Sequence, residues 1–202
     1  MPVNSLEKYE KTSMKSIAIF ASGAGTNAEN LIRYFRTSSS GTVTLVLTNR
    51  PDAGVIARAR NLGVPALVFD RDQLCTSGEV LEMLRKIEID FIVLAGFLWL
   101  VPEEILEAYR GRIVNIHPAL LPSYGGKGMY GHHVHEVVLA SGDRQSGITI
   151  HHVNPAYDEG DIIFQATCPV WPDDTPDALA RRIHKLEYEH YPRVVEELLE
   201  QG

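Results

Sequence analysis

The sequence predicts a doubly wound α/β domain: a mostly parallel central sheet with helices on both faces and an antiparallel addition near the C-terminus. Three observations carry this. Short apolar runs alternate with segments of helical periodicity from residue 16 to residue 117. The runs are apolar on both faces, as strands covered by helices on each side must be. After residue 145 the alternation stops, and two strand-like runs flank one polar turn.

The elements follow in order. "SIAIFAS" (16–22) is a strand ending at a glycine turn, and "TNAENLIRYFRT" (26–37) repeats Ala28, Leu31, Ile32 and Phe35 at helical spacing. "TVTLVLTN" (42–49) is a β-branched strand, and "AGVIARARNLG" (53–63) a helix closed by Gly63. "PALVFD" (65–70) is a short strand, and "SGEVLEMLRKIE" (77–88) an amphipathic helix. "DFIVLAG" (90–96) is a buried strand. "PEEILEAYRG" (102–111) starts on proline and acids and ends on glycine, as short helices do. "RIVNIH" (112–117) is the fifth strand. "SGITIHHVN" (146–154) and "DIIFQATCPV" (161–170) are the later strands around "PAYDEG". The pattern 175–201 is helical but contains Pro192, which predicts a bend or restart.

Residues 14–202 thus read as one domain, and the polar, mixed-charge residues 1–13 as a flexible extension. That stretch lacks the apolar centre of a secretory signal. No apolar run approaches the roughly 20 residues of a membrane span. Net charge is −7, which argues against a nucleic-acid or anionic-membrane partner. Cys75 and Cys168 have no ligand or redox spacing, so both thiols are expected free, in a cytoplasmic setting. The expected state is a monomer or homodimer.

In a sheet of this kind ligands gather at the carboxyl ends of the strands. The turn "SGAGTNA" (22–28) lies at such an end. Its backbone N–H groups at a helix start can hold a phosphate, with Gly23 and Gly25 allowing close approach. The same letters fit a dinucleotide fingerprint, but that needs an acid at the end of the second strand, where Asn49 stands. At the fifth strand, alternation puts Asn115 and His117 on one face. An amide there can donate to a developing oxyanion, and an imidazole can carry a proton. The turn "YDEGD" (157–161) offers the carboxylate that such a His needs. The alternative is a structural His with a solvated acidic turn. His132, His133, His135, His151 and His152 lack metal-ligand spacing, so no metal is expected and the first three are read as loop residues.

Asn-x-His-Pro (115–118), "ALLPSY" (119–124) and the Asp-x-Gly turn (158–160) together resemble the folate-dependent formyltransferases. "SGAGTN" is similar to the turn of those that act on phosphoribosylglycinamide in purine synthesis. The resemblance spans about residues 16–195 and implies a Rossmann-like formyltransferase fold. It also implies 10-formyltetrahydrofolate as co-substrate and small-molecule partners only. Asn115, His117 and Asp158 would be catalytic, with protonated His117 helping to stabilise the oxyanion. Gly25, Thr26 and Asn27 would hold the ribose 5-phosphate, and Glu187 would meet the glycinamide substrate. Leu98, Trp99, Leu100 and Val101, with Asn115, would bind the folate, and Leu121–Pro122 would be a cis bond.

Two features depart from the family. Trp99 stands where many relatives carry a basic residue, and the glycine-rich loop 124–136 is longer than the compact version. Lys127 in that loop and His151 are further candidates, Lys127 for a phosphate or the folate carboxylates. Three rivals stay open: a formyltetrahydrofolate hydrolase, another formyltransferase of the same fold such as the methionyl-tRNA enzyme, and a nucleotide-binding sensor.

Overall fold

The computed structural model describes residues 14–201; the expected extension 1–13 lies outside the described residues. The strands are β1 (Lys15–Phe20), β2 (Gly41–Thr48), β3 (Ala66–Val68), β4 (Phe91–Leu94), β5 (Ile113–His117), β6 (Gln145–His152) and β7 (Ile162–Pro169). The helices are α1 (Thr26–Phe35), α2 (Gly54–Asn61), α3 (Arg71–Cys75), α4 (Glu79–Lys86), α5 (Glu103–Ala108), α6 (His132–Ser141) and α7 (Pro176–Gln201).

One seven-stranded sheet runs β3-β2-β1-β4-β5-β6-β7. Its first five strands are parallel, while β6 and β7 join antiparallel. The chain winds outward from β1 to β3, then returns to lay β4 on the other side of β1. That reversal opens a crevice at the carboxyl ends of β1 and β4, the place where such sheets bind ligands.

Alternation splits the apolar residues between two cores. Ile17, Ile19, Val93, Val114 and Ile150 pack on one face with residues of α1, α2, α6 and α7. Ala18, Phe20, Leu47, Ile92 and Leu94 pack on the other, with residues of α3, α4 and α5. Ile113 belongs to this second face, so Asn115 and His117, two and four residues on, point the same way at the strand's end.

Three sequence expectations need correction. The loop read as 124–136 ends early, because α6 begins at His132. His132, His133 and His135 are therefore helical residues and not loop residues, with His135 buried beside Val134 and Val138. The helix α3 was not foreseen, although Asp70 and Gln73 form a capping box at its start. The helix α7 continues through Pro192 instead of restarting. Proline deprives the carbonyl four residues back of its donor. Here the Asn30 side-chain amide donates to that carbonyl, on Tyr188, at 2.9 Å. Both cysteines are free, Cys75 exposed and Cys168 buried. Among the described residues no helix is long and apolar enough to cross a membrane.

Candidate active site

The β5–β6 pairing assembles the first part of the site. Antiparallel register sets Asn115 opposite His151 and His117 opposite Thr149. Directly opposed residues share a face, so all four side chains lie together. Thr149 works behind the chemistry. Its hydroxyl donates to Ala119 O at 2.7 Å and accepts Leu121 N–H at 2.9 Å. Gln165 Nε2 adds bonds to Leu121 O at 3.0 Å and to the Thr149 hydroxyl at 2.8 Å. The segment after His117 is thus tied to both β6 and β7, and Leu121–Pro122 is cis as the resemblance implied.

Asp158 stands in the turn between β6 and β7 with φ of 58°, a left-handed conformation uncommon outside glycine. Gly160 makes the turn possible: a Cβ there would lie 1.7 Å from His152 O. The Asp158 carboxylate is the hub of the cluster. Its Oδ2 accepts Gly126 N–H at 2.9 Å and lies 3.5 Å from His117 Nδ1. Its Oδ1 lies 3.5 Å from Asn115 Nδ2 and 3.7 Å from His151 Nε2.

Tautomers follow from these partners. His117 Nε2 is 2.7 Å from Tyr124 O, and a carbonyl only accepts, so Nε2 carries a proton. Nδ1, facing Asp158, is then the nitrogen whose proton comes and goes. His151 Nδ1 donates to His152 O at 2.8 Å, which leaves Nε2 to accept from Asn115 Nδ2 at 3.0 Å. Burial pushes the His117 pKa below its usual value, against the opposing pull of Asp158 and the Tyr124 carbonyl. Burial thus favours the neutral imidazole, while Asp158 beside Nδ1 favours the protonated form. Burial also works against the Asp158 charge, but the neighbouring imidazoles of His151 and His117 and the Gly126 N–H outweigh it and hold the carboxyl below its ordinary range.

The second part of the site lies at the start of α1. Gly25 caps the helix with φ of 78°, and a Cβ there would sit 2.5 Å from Val55. Only glycine fits, since α2 packs directly under the turn. Arg58 of α2 donates to Ala24 O at 2.9 Å and pairs with Glu29, holding the turn from behind. Asn27 Nδ2 donates to Glu187 Oε2 at 2.9 Å, joining α1 to α7 across 160 residues of sequence. Glu187 is only 5% exposed, and burial raises its pKa. Asn27 Oδ1 is buried with no partner among the described residues, a lapse native proteins rarely leave outside functional places. Asn49, which displaced the dinucleotide reading, accepts from Ser22 Oγ at 2.6 Å and so ties β1 to β2.

The loop after β4 is the third part. Ser22 Oγ accepts Leu98 N–H at 3.1 Å, anchoring the loop to the end of β1. Val101 is buried in the second core, while Leu100 is exposed. Trp99 packs edge-on against Phe69 at 6.1 Å and Phe97 at 6.5 Å. Lys127 is exposed and makes no ion pair among the described residues. His132 and His133 reach only surface carboxylates. Among the described residues no group of three or more His, Cys, Asp or Glu is gathered as for a metal ion.

Sequence reasoning missed Thr149, Gln165 and the Tyr124 carbonyl. The first two had a signal, being polar residues inside apolar strands; the third had none, because a main-chain carbonyl leaves no mark in the sequence.

Comparison with known proteins identifies the family. The sequence pattern of the family described as Formyl transferase matches residues 15–195. A chloroplastic phosphoribosylglycinamide formyltransferase of Arabidopsis thaliana is 44% identical over 93% of this chain; the chain spans 66%, under two thirds, of that relative's own length. The phosphoribosylglycinamide formyltransferase of Bacillus subtilis is 35% identical over 92% of this chain and 95% of its own. The crystal structure of a phosphoribosylglycinamide formyltransferase from Bacillus halodurans superposes with a TM-score of 0.82 at 37% identity, covering 92% of this chain and 95% of that one. The chain belongs to the Formyl transferase family, in the company of phosphoribosylglycinamide formyltransferases.

Proposed function

We infer that this protein transfers a formyl group from 10-formyltetrahydrofolate to the primary amine of 5-phosphoribosylglycinamide, a step of purine synthesis. The observation that carries the reading is one carboxylate, Asp158, set 3.5 Å from both the Asn115 amide and the His117 imidazole. The names of the relatives support the choice of acceptor.

In this reading the neutral amine attacks the formyl carbon. A new C–N bond forms and the carbonyl oxygen becomes an oxyanion. The bond from carbon to the folate N10 then breaks. The amine loses one proton and N10 gains one, so the step is proton-neutral. Asn115 donates to the oxyanion, a contact made fully only in the transition state. Its Nδ2 protons face His151 and Asp158 in the free protein, so the oxyanion takes over one of these donors. His117 starts neutral and accepts a proton at Nδ1, where Asp158 stabilises the imidazolium that forms. Releasing Tyr124 O would let Nε2–H turn to the substrate. The phosphate sits on the backbone at Gly25, Thr26 and Asn27, and Glu187 meets the glycinamide part. The folate lies along residues 96–102.

The test is the absorbance change of folate product, followed with and without 5-phosphoribosylglycinamide. Product that appears only with the amine is the expected result. Product without the amine would make the protein a hydrolase. No product in either case would refute formyl transfer to this acceptor.

A further inference from the structure

Tyr124 touches His117 with its main chain and the end of α6 with its side chain. Its carbonyl accepts from His117 Nε2 at 2.7 Å. Two residues on, Gly126 N–H donates to Asp158 Oδ2 at 2.9 Å. The segment 124–126 thus clamps both members of the His117–Asp158 pair with backbone atoms. It fits closely there: a Cβ on Gly125 would lie 2.6 Å from the Leu121 side chain and 3.2 Å from Asp158. Gly125 and Gly126 have no side chain to secure the clamp, so the hold falls to Tyr124. That residue has φ of 59°, a left-handed backbone that a bulky side chain adopts when its surroundings impose it.

The Tyr124 side chain supplies those surroundings. Its ring packs against the first core. Its hydroxyl donates to the Asp143 carboxylate and lies 2.7 Å from Ser141 Oγ. Ser141 is the last residue of α6, and Asp143 follows the Gly142 cap. Ser141 Oγ donates to Val138 O at 2.8 Å and accepts Asp143 N–H at 3.2 Å, so the anchor is itself tied to the helix. The bond to Asp143 raises the Tyr124 pKa above its usual value, which keeps the donated proton on the phenol. Neither Asp143 nor Ser141 bonds Asn115, His117 or Asp158 among the described residues.

A neutral imidazole carries one N–H, and here it has two possible acceptors. Tyr124 O stands 2.7 Å from Nε2, and Asp158 Oδ2 stands 3.5 Å from Nδ1. A proton on Nδ1 would suit the carboxylate but would leave that nitrogen unable to accept another. We propose that Tyr124 is a positioning residue: its hydroxyl, anchored at the end of α6, fixes the carbonyl that keeps the resting His117 proton on Nε2 and leaves Nδ1 bare. The inference rests on the formyl-transfer reading for its kinetic consequence, whereas the tautomer is read without substrate.

Nitrogen NMR of histidine-labelled protein at alkaline pH distinguishes a bare ring nitrogen from a protonated one. His117 is assigned from the spectrum of His117→Gln. Wild type should show the Nε2–H form. Tyr124→Phe keeps the ring but loses the anchor, and should show a mixture with the Nδ1–H form. His151, which donates Nδ1–H to His152 O, should keep its tautomer in both proteins. Tyr124→Phe should lower kcat roughly 3–10-fold, as for one lost hydrogen bond, with KM for both substrates within about 2-fold. Asp143→Ala alone should cost less, since Ser141 Oγ can still accept from Tyr124, and should lower kcat no further when added to Tyr124→Phe. An unchanged His117 tautomer or an unchanged kcat in Tyr124→Phe overturns the inference. So does a His151 tautomer that changes alongside, the mark of a general disturbance, or an Asp143→Ala loss that adds fully to that of Tyr124→Phe. A wild type without formyl transfer removes the parent reading, while the spectrum still decides whether Tyr124 sets the His117 proton.

Discussion

The clusters around Asp158 and around Glu187 differ in how completely their polar groups are bonded. Near Asp158 each side chain has a partner: Asn115 bonds the His151 side chain, His117 the Tyr124 main-chain O, and Asp158 the Gly126 N–H. Near Glu187 a single bond joins Asn27 to the carboxylate, and Asn27 Oδ1 is left buried without a partner among the described residues. A closed network holds its geometry before the substrate arrives, and exchanges partners during the reaction. An open one waits for ligand atoms to complete it. The first arrangement suits chemistry and the second suits binding.

Breaking the hub should have the largest effect. Asp158→Asn keeps the shape of the side chain but removes the charge facing His117 Nδ1. We expect kcat to fall on the order of 100–10,000-fold, the span of a lost acid–base partner, with KM for both substrates little changed. Steady-state kinetics with each substrate varied in turn will check this.

Breaking the open cluster should move binding instead. Glu187→Gln is expected to raise KM for the phosphorylated amine roughly 10-fold and to spare kcat, as for one lost hydrogen bond to a charged group. The same variant has a stability signature. Burial raises the Glu187 pKa above 4.5, so the folded chain keeps a proton that the unfolded chain releases. Stability contributed by the protonated form is full below 4.5 and declines as pH rises toward the folded value. Melting curves across that range should show a decline in wild type that Glu187→Gln lacks.

His135 sharpens the comparison from outside both clusters. Burial pushes its pKa down to about 4 from 6.5, so the folded protein holds it neutral. Its neutral form supports the fold above pH 6.5, and that support is lost as pH falls toward 4. His135→Asn should be less sensitive to acid across this window in thermal melts. The smallest effect is expected from Arg33→Ala, which removes a solvent-exposed pair with Glu29. Its melting should change by no more than about 0.5 kcal/mol and its kinetics not at all.

The parts legible in the sequence were those written as periodicity. β1 to β5 and the helices between them other than α3 follow from apolar patterns, and Asn115 and His117 follow from strand alternation at one end. The helix α6 was hidden because His135 occupies a core position and Gly131 caps the helix without a side-chain bond. A histidine on the buried stripe spoils the apolar pattern, and glycine before it reads as more loop. His151 was visible as a strand residue, but its pairing with Asn115 depends on β5–β6 register, which a single sequence does not state. The brace from Thr149 and Gln165 depends on the same register and was missed for the same reason. The join of Asn27 to Glu187 is a contact across the whole fold, which local pattern cannot carry.

The central claim is that Asn115 and His117 stabilise and discharge the tetrahedral intermediate. Single-turnover rates of Asn115→Ala and His117→Ala with both substrates saturating measure it directly. The account predicts a fall on the order of 100–1000-fold in each, with both variants folded and binding both substrates. Turnover near the wild-type rate in either variant would contradict it.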